Sequence, residues 1–227
     1  MNPQMSLFDR RSFLKSAATI TSGVAGLGML PLEGWAIPTV AGASGNIHLV
    51  GPQEGYAPQV GTLVSMMNWM RATVLAAVKG LDRDALDFLF DEKSNTIGAM
   101  LMHLAATERF YQLHTFEGRR WGDWPEPDIR RWSAASRLGM AGRMLIGGED
   151  LSYYLDLLSE VRASTLATLR NRDDKWLLSV DGGWVWGPTN NYCKWFHVVE
   201  HESNHNGQIK WIRGRLPGGS GGVLPGD

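Results

Sequence analysis

The chain has 227 residues, enough for one domain with a substantial core and a tail. Its formal net charge is -1, with no long block of one sign, which argues against a nucleic-acid footprint. A single cysteine, Cys193, excludes a disulfide within the chain, and ten tryptophans require aromatic rings in the core or a pocket wall.

Residues 1–43 read differently from the rest. Arg10 and Arg11 open DRRSFLKSAAT, an apolar small-residue run covers residues 17–30, and Ala41-Gly42-Ala43 offers a small-x-small cleavage pattern. The run is short and glycine-rich for a membrane span. The order resembles a twin-arginine export signal, with Asp9 where Ser or Thr is usual. The resemblance implies a periplasmic or otherwise exported protein that meets the twin-arginine machinery already folded. A disordered basic N-terminus and an uncleaved anchor are the alternatives. Residues 44–55 form a Gly/Pro-rich lead-in, residues 56–217 the domain, and residues 218–227 a flexible tail.

Within the domain the first helix is expected over residues 58–80, with Pro58 in the first turn and Gly80 beyond the end. LDRDALDFLF adds a short helical turn. A second helix follows Ser94 as N-cap, apolar on two adjacent sides as a bundle helix would be. Residues 119–148, rich in Trp and Pro at first, read as an excursion with one or two short helices. A third long helix starts at Leu151. Asp181-Gly182 suggests a hairpin turn, and the last helix runs from Asn191 to about Leu216. The fold class is all-α: a four-helix bundle with a long interrupted crossover between its second and third long helices.

The last helix carries HVVEHESNHNGQI, in which His197, His201 and His205 recur every fourth residue. Neighbouring turns can share one ion, but His197 and His205 are roughly 12 Å apart along the axis, so all three cannot. His201 and His205 share a face with Val198, Ile209 and Ile212, and His197 lies at its edge. His103, in the apolar second helix, is the candidate third ligand from another element. His114 is three turns beyond it, and His48 lies in the lead-in. Hydrogen-bonded core histidines are the bland alternative.

MHLAATERFY followed by HESNHNGQIKWIRGRLPG resembles the paired signature of the DinB-like superfamily of metal-binding four-helix bundles, over about residues 56–217. The resemblance places the metal ligands on His103, His201 and His205, and implies a small-molecule substrate such as a low-molecular-weight thiol, and a homodimer. Many relatives carry His-Arg-Gly-Gln where this chain has His205-Asn206-Gly207-Gln208. Three neutral imidazoles suit zinc first, with nickel or iron compatible. The leading expectation is a thiol-dependent, metal-assisted transferase or isomerase. The alternatives are a metal or small-ligand binding protein without turnover, and a metal-dependent hydrolase. Glu108 and Glu200 are weighed as acid–base groups, Glu108 more as a structural anchor. Trp184, Trp186, Asn190, Asn191, Tyr192 and Trp195 either line a pocket or seal the end of the bundle.

Replacing Arg10 and Arg11 together with lysine is expected to leave the precursor inside the cell. Fractionation and N-terminal sequencing of the mature protein measure this, and unchanged export would reject the twin-arginine route.

Overall fold

The computed structural model describes residues 46–218, so the expected signal over residues 1–43 and most of the expected tail lie outside the described residues. Eight helices are present among them. They are α1 (Pro58–Val78), α2 (Arg83–Asp87), α3 (Ile97–Thr115), α4 (Glu126–Arg137), α5 (Gly139–Leu145), α6 (Leu151–Leu169), α7 (Asp174–Leu178) and α8 (Asn191–Arg213). The four long ones, α1, α3, α6 and α8, are the four expected from periodicity. The main long-helix packings are α1 on α8, α3 on α6 and α3 on α8. The segment between α3 and α6 holds two short helices, α4 and α5.

Local chemistry sets the helix ends. Pro58 starts α1, and the backbone N–H groups of Gln59 and Val60 donate to Asp174 Oδ1 at 2.9 and 3.1 Å, so a distant side chain caps this helix. Thr96, rather than Ser94, caps α3: its hydroxyl accepts from Ala99 N at 3.1 Å. Ser94 is engaged one turn earlier, where its N–H donates to Asp91 Oδ1 at 2.7 Å. Asn190 caps α8 by accepting from Cys193 N at 2.8 Å.

The expected hairpin exists, but in a different register. β1 (Val180–Asp181) pairs antiparallel with β2 (Thr189–Asn190), Val180 opposite Asn190 and Asp181 opposite Thr189. Asp181 is therefore a strand residue, and residues 182–188 form a longer loop instead of a two-residue turn. The reason is electrostatic: Asp181 Oδ2 accepts from buried Lys194 Nζ at 2.7 Å, which fastens β1 to α8.

The core has an apolar body and one polar centre. Val60, Leu63, Met67, Val74, Leu101, Leu104, Tyr154 and Ile209 are essentially inaccessible. Gly98 in α3 admits the Tyr154 ring of α6 so closely that a Cβ there would stand 2.8 Å from its hydroxyl. Between the long helices lie Arg71 of α1, Glu108 of α3, Arg162 of α6 and Glu202 of α8. Arg162 Nε donates to Glu108 Oε1 at 2.8 Å and Arg162 NH2 to Glu202 Oε1 at 2.7 Å. Arg71 NH2 reaches Glu202 Oε1 at 2.6 Å and Glu108 Oε2 at 3.0 Å. Each guanidinium also donates across to a neighbouring helix, Arg71 to the Leu158 carbonyl and Arg162 to that of Met67. Two cations and two anions cancel, and nearly every charged atom has a partner. Burial alone would raise the Glu108 carboxyl. The attraction of Arg162 and Arg71 outweighs it and holds the group below its ordinary range.

Glu108→Gln removes one anion and leaves two buried guanidiniums facing a single carboxylate. Breaking a buried pair in this way costs about 3–5 kcal/mol, and urea denaturation at neutral pH is expected to show a loss of that order. A loss within experimental error would show that the network contributes little net stability.

Candidate metal centre

α3 and α8 lie side by side, which brings His103 beside His201 and His205. One imidazole nitrogen from each lies within 4.8 Å of the others. The ring centroids are 4.9 Å apart for His103–His201, 4.9 Å for His103–His205 and 4.7 Å for His201–His205. The three residues expected from spacing and face are thus together, and the site can coordinate a divalent ion. His205 is buried, while His103 and His201 keep part of their rings accessible.

The supporting hydrogen bonds fix which nitrogens point inward. His103 Nδ1 donates to the Ala135 carbonyl at 2.8 Å, because a carbonyl can only accept. That carbonyl belongs to the last turn of α4, where the helix dipole is negative, and besides His103 it accepts only a long 3.3 Å bond from Leu138 N–H among the described residues. His205 Nδ1 donates to Gln208 Oε1 at 3.0 Å. In both rings Nε2 is left with its lone pair, the arrangement a metal-binding imidazole needs. His103 Nε2 lies 2.7 Å from His201 Nε2. Two imidazole nitrogens that close require a proton or a cation between them.

Electrostatics keep these rings neutral. Burial, reinforced by repulsion from His205 and opposed by the Ala135 hydrogen bond, brings His103 down to about 4. Burial, then the neighbouring His103, His205 and His197, brings His201 to about 3. His205 is lowered by burial as well, against the opposing pull of Gln208 and Glu200. Neutral, partly enclosed imidazoles with fixed tautomers fit a divalent cation and would accept a proton only under acid conditions.

The remaining histidines lie elsewhere. His197 is one turn before His201, with its ring centroid 5.2 Å from that of His201 and its Nδ1 bonded to Tyr111 Oη at 2.9 Å. His114 belongs to the hairpin fastening: Nδ1 donates to the Arg119 carbonyl and Nε2 accepts from Lys194 Nζ at 2.9 Å. His48 is exposed. Glu108 is committed to the ion network, as its apolar setting suggested, and Glu200 is exposed. Cys193 is exposed rather than a small buried hydrophobe.

The aromatic and amide set divides in two. Asn190 caps α8, Asn191 Nδ2 donates to the Trp176 carbonyl at 3.0 Å, and buried Trp195 donates to Thr115 Oγ1. These seal the end of the bundle. Trp186, in contrast, is 53% exposed and stands edge-on to His197 with centroids 5.1 Å apart. Ala135 and Tyr111 also support the site, and the sequence does not mark them: a main-chain acceptor leaves no signal in residue identity, and Tyr111 is one aromatic among many in a helix built for burial.

Fold and site together define a helical domain with a three-histidine cluster capable of coordinating a divalent metal. The family model for mycothiol-S-transferases matches residues 62–218, more than half of the chain, and the chain belongs to that family. This membership agrees with the DinB-like resemblance of its two histidine motifs. No curated protein matches the chain.

Two outcomes follow. Alanine at His103, His201 or His205 removes one coordinate bond and is expected to reduce metal affinity sharply, whereas alanine at His114 or His48 leaves it unchanged; metal titration of the folded variants measures both. In the metal-free protein the folded pKa values of His103 and His201 lie below the unfolded value of about 6.5. Their contribution to stability is therefore complete above pH ~6.5 and declines as pH falls toward about 4 and about 3. Thermal melts across that window, with imidazole proton shifts followed by NMR, test this; titration midpoints near 6.5 for both rings would contradict it.

Proposed function

We propose that the protein is a metal-dependent thiol S-transferase, in which His103, His201 and His205 hold a divalent ion. Zinc is the first choice from ligand type, with nickel or iron compatible. The observation that carries this reading is the convergence of three neutral imidazoles, two with their outer nitrogens already engaged, in a chain of the mycothiol-S-transferase family. The family name points to mycothiol, a low-molecular-weight thiol, as the donor.

When bound, the ion supplies full positive charge and an open position that makes a thiol more acidic. The protein's residues do the rest. Ala135 and Gln208 hold His103 and His205 in the tautomer that faces the cage. Burial keeps all three rings from competing for protons near neutrality. Glu108 and Glu202 are tied to arginines and do not act as bases, so the thiol proton leaves to solvent. Transfer then forms a carbon–sulfur bond between the thiolate and an electrophilic carbon as that carbon's bond to its leaving group breaks, and the leaving group departs to solvent with the bonding electron pair.

The same reading carries three further proposals: residues 1–43 as an export signal, an exported location, and a homodimer. Their support is the Arg10-Arg11 pattern and the habit of similar bundles to pair.

The test uses elemental analysis of protein from its native compartment, then cobalt substitution. Addition of 2-mercaptoethanol is expected to produce a sulfur-to-cobalt charge-transfer band, and mycothiol-dependent consumption of an electrophile is expected to disappear in His201→Ala. Stoichiometric metal with thiol binding and no turnover on any acceptor would favour a binding protein. Absence of metal would leave only packed histidines.

A further inference from the structure

Beside the cage, Tyr111 and His197 form a pair that metal coordination does not use. Tyr111 is 2% exposed and, among the described residues, its hydroxyl has one partner, His197 Nδ1, at 2.9 Å. A buried hydroxyl proton needs an acceptor. Among the described residues, the arrangement that gives it one has Tyr111 O–H donating to an unprotonated Nδ1. Neutral imidazole carries one proton, so His197 must then hold it on Nε2. That nitrogen is on the side of the ring opposite Nδ1, away from buried Tyr111. His197 is half-buried, one helical turn from His201, and next to the exposed Trp186 ring.

We propose that the Tyr111–His197 pair is a tautomer-locked N–H donor that positions an oxygen-bearing ligand, a carboxylate or carbonyl, bound at the three-histidine centre. This role rests on the thiol-binding reading of that centre and adds to it. A single helical turn rises about 5.4 Å, so one small molecule can occupy the centre with its sulfur and place an oxygen beside the next turn. Trp186 offers that ligand an apolar edge. Tyr111 acts through His197 and is a positioning residue, whereas His197 makes the contact.

The lock also explains why the third histidine of the series stands outside the cage. With Nδ1 occupied by Tyr111 and Nε2 protonated, His197 has no lone pair to offer an ion, although its ring adjoins that of His201. The Tyr111 hydroxyl thus separates two roles within one four-residue repeat.

Two measurements on the full zinc- or cobalt-loaded chain test the proposal. Long-range proton–nitrogen NMR correlations of the imidazoles are expected to show His197 protonated on Nε2 in the parent, and to show loss of that single tautomer in Tyr111→Phe. A parent His197 protonated on Nδ1 would overturn the lock. The second measurement compares mercaptoacetate, which carries a carboxylate beside its thiol, with ethanethiol, by titration of the cobalt protein. A hydrogen bond to a charged group sets the expected preference for mercaptoacetate at roughly tenfold to a hundredfold. His197→Phe should abolish the preference while metal content and ethanethiol binding stay at parent values. His197→Gln, which retains an N–H donor, should recover part of it. An equal ratio of the two affinities in parent and His197→Phe overturns the donor role and leaves the thiol reading intact. Failure of both thiols to bind the cobalt protein overturns both.

Discussion

A neutral cluster of two arginines and two glutamates, one from each long helix, holds this bundle in register. Apolar side chains drive the helices together, but packing of that kind tolerates small rotations and slides. The cluster does not. Rotating α3 would carry Glu108 out of reach of Arg162, and sliding α8 would detach Glu202 from both guanidiniums. Either displacement would strand charge in the interior, where the penalty is several kcal/mol per ion. The ion network therefore specifies one arrangement of the helices more than it strengthens the fold.

The metal centre inherits that arrangement. His103 is five residues before Glu108 on α3, and His201 directly precedes Glu202 on α8. Anchoring the two glutamates sets the axial positions of the two histidines to within the tolerance of a hydrogen bond. Glu202 and His201 point in directions about 100° apart on the same helix, so one turn serves both the ion network and the cage. The short α4 then supplies the last constraint, since the Ala135 carbonyl in its last turn orients the His103 ring.

Much of this was legible in the residues. The apolar spacing marks all four long helices, because their buried stripes are broad. Four-residue recurrence singled out His201 and His205, and an otherwise apolar helix marked His103. What could not be read depended on contacts between distant segments. Asp174 capping α1, and Asp181 drawn into β1 by Lys194, are tertiary effects that no local turn preference contains. Arg71 and Arg162 did leave a trace, as cations within helical stretches otherwise built for burial. Reading them against Glu108 and Glu202 would have exposed the network, since interior charges occur in compensated sets.

The His103 acceptor is a main-chain oxygen, and this shapes how the site can vary. Alteration of the residue at position 135 leaves that oxygen in place, provided the helix still ends where it does. Vulnerability lies instead in the path of the chain just beyond it. Leu138 there adopts φ 49°, ψ −149°, a conformation rare for a residue with a branched side chain, and it is followed by Gly139 at φ 58°. That bend ends α4 soon after Ala135 and sends the chain into α5. Sequence drift could thus pass through the lining of the centre without chemical consequence, while an insertion of one residue near the bend would turn the acceptor away and release the ring it holds.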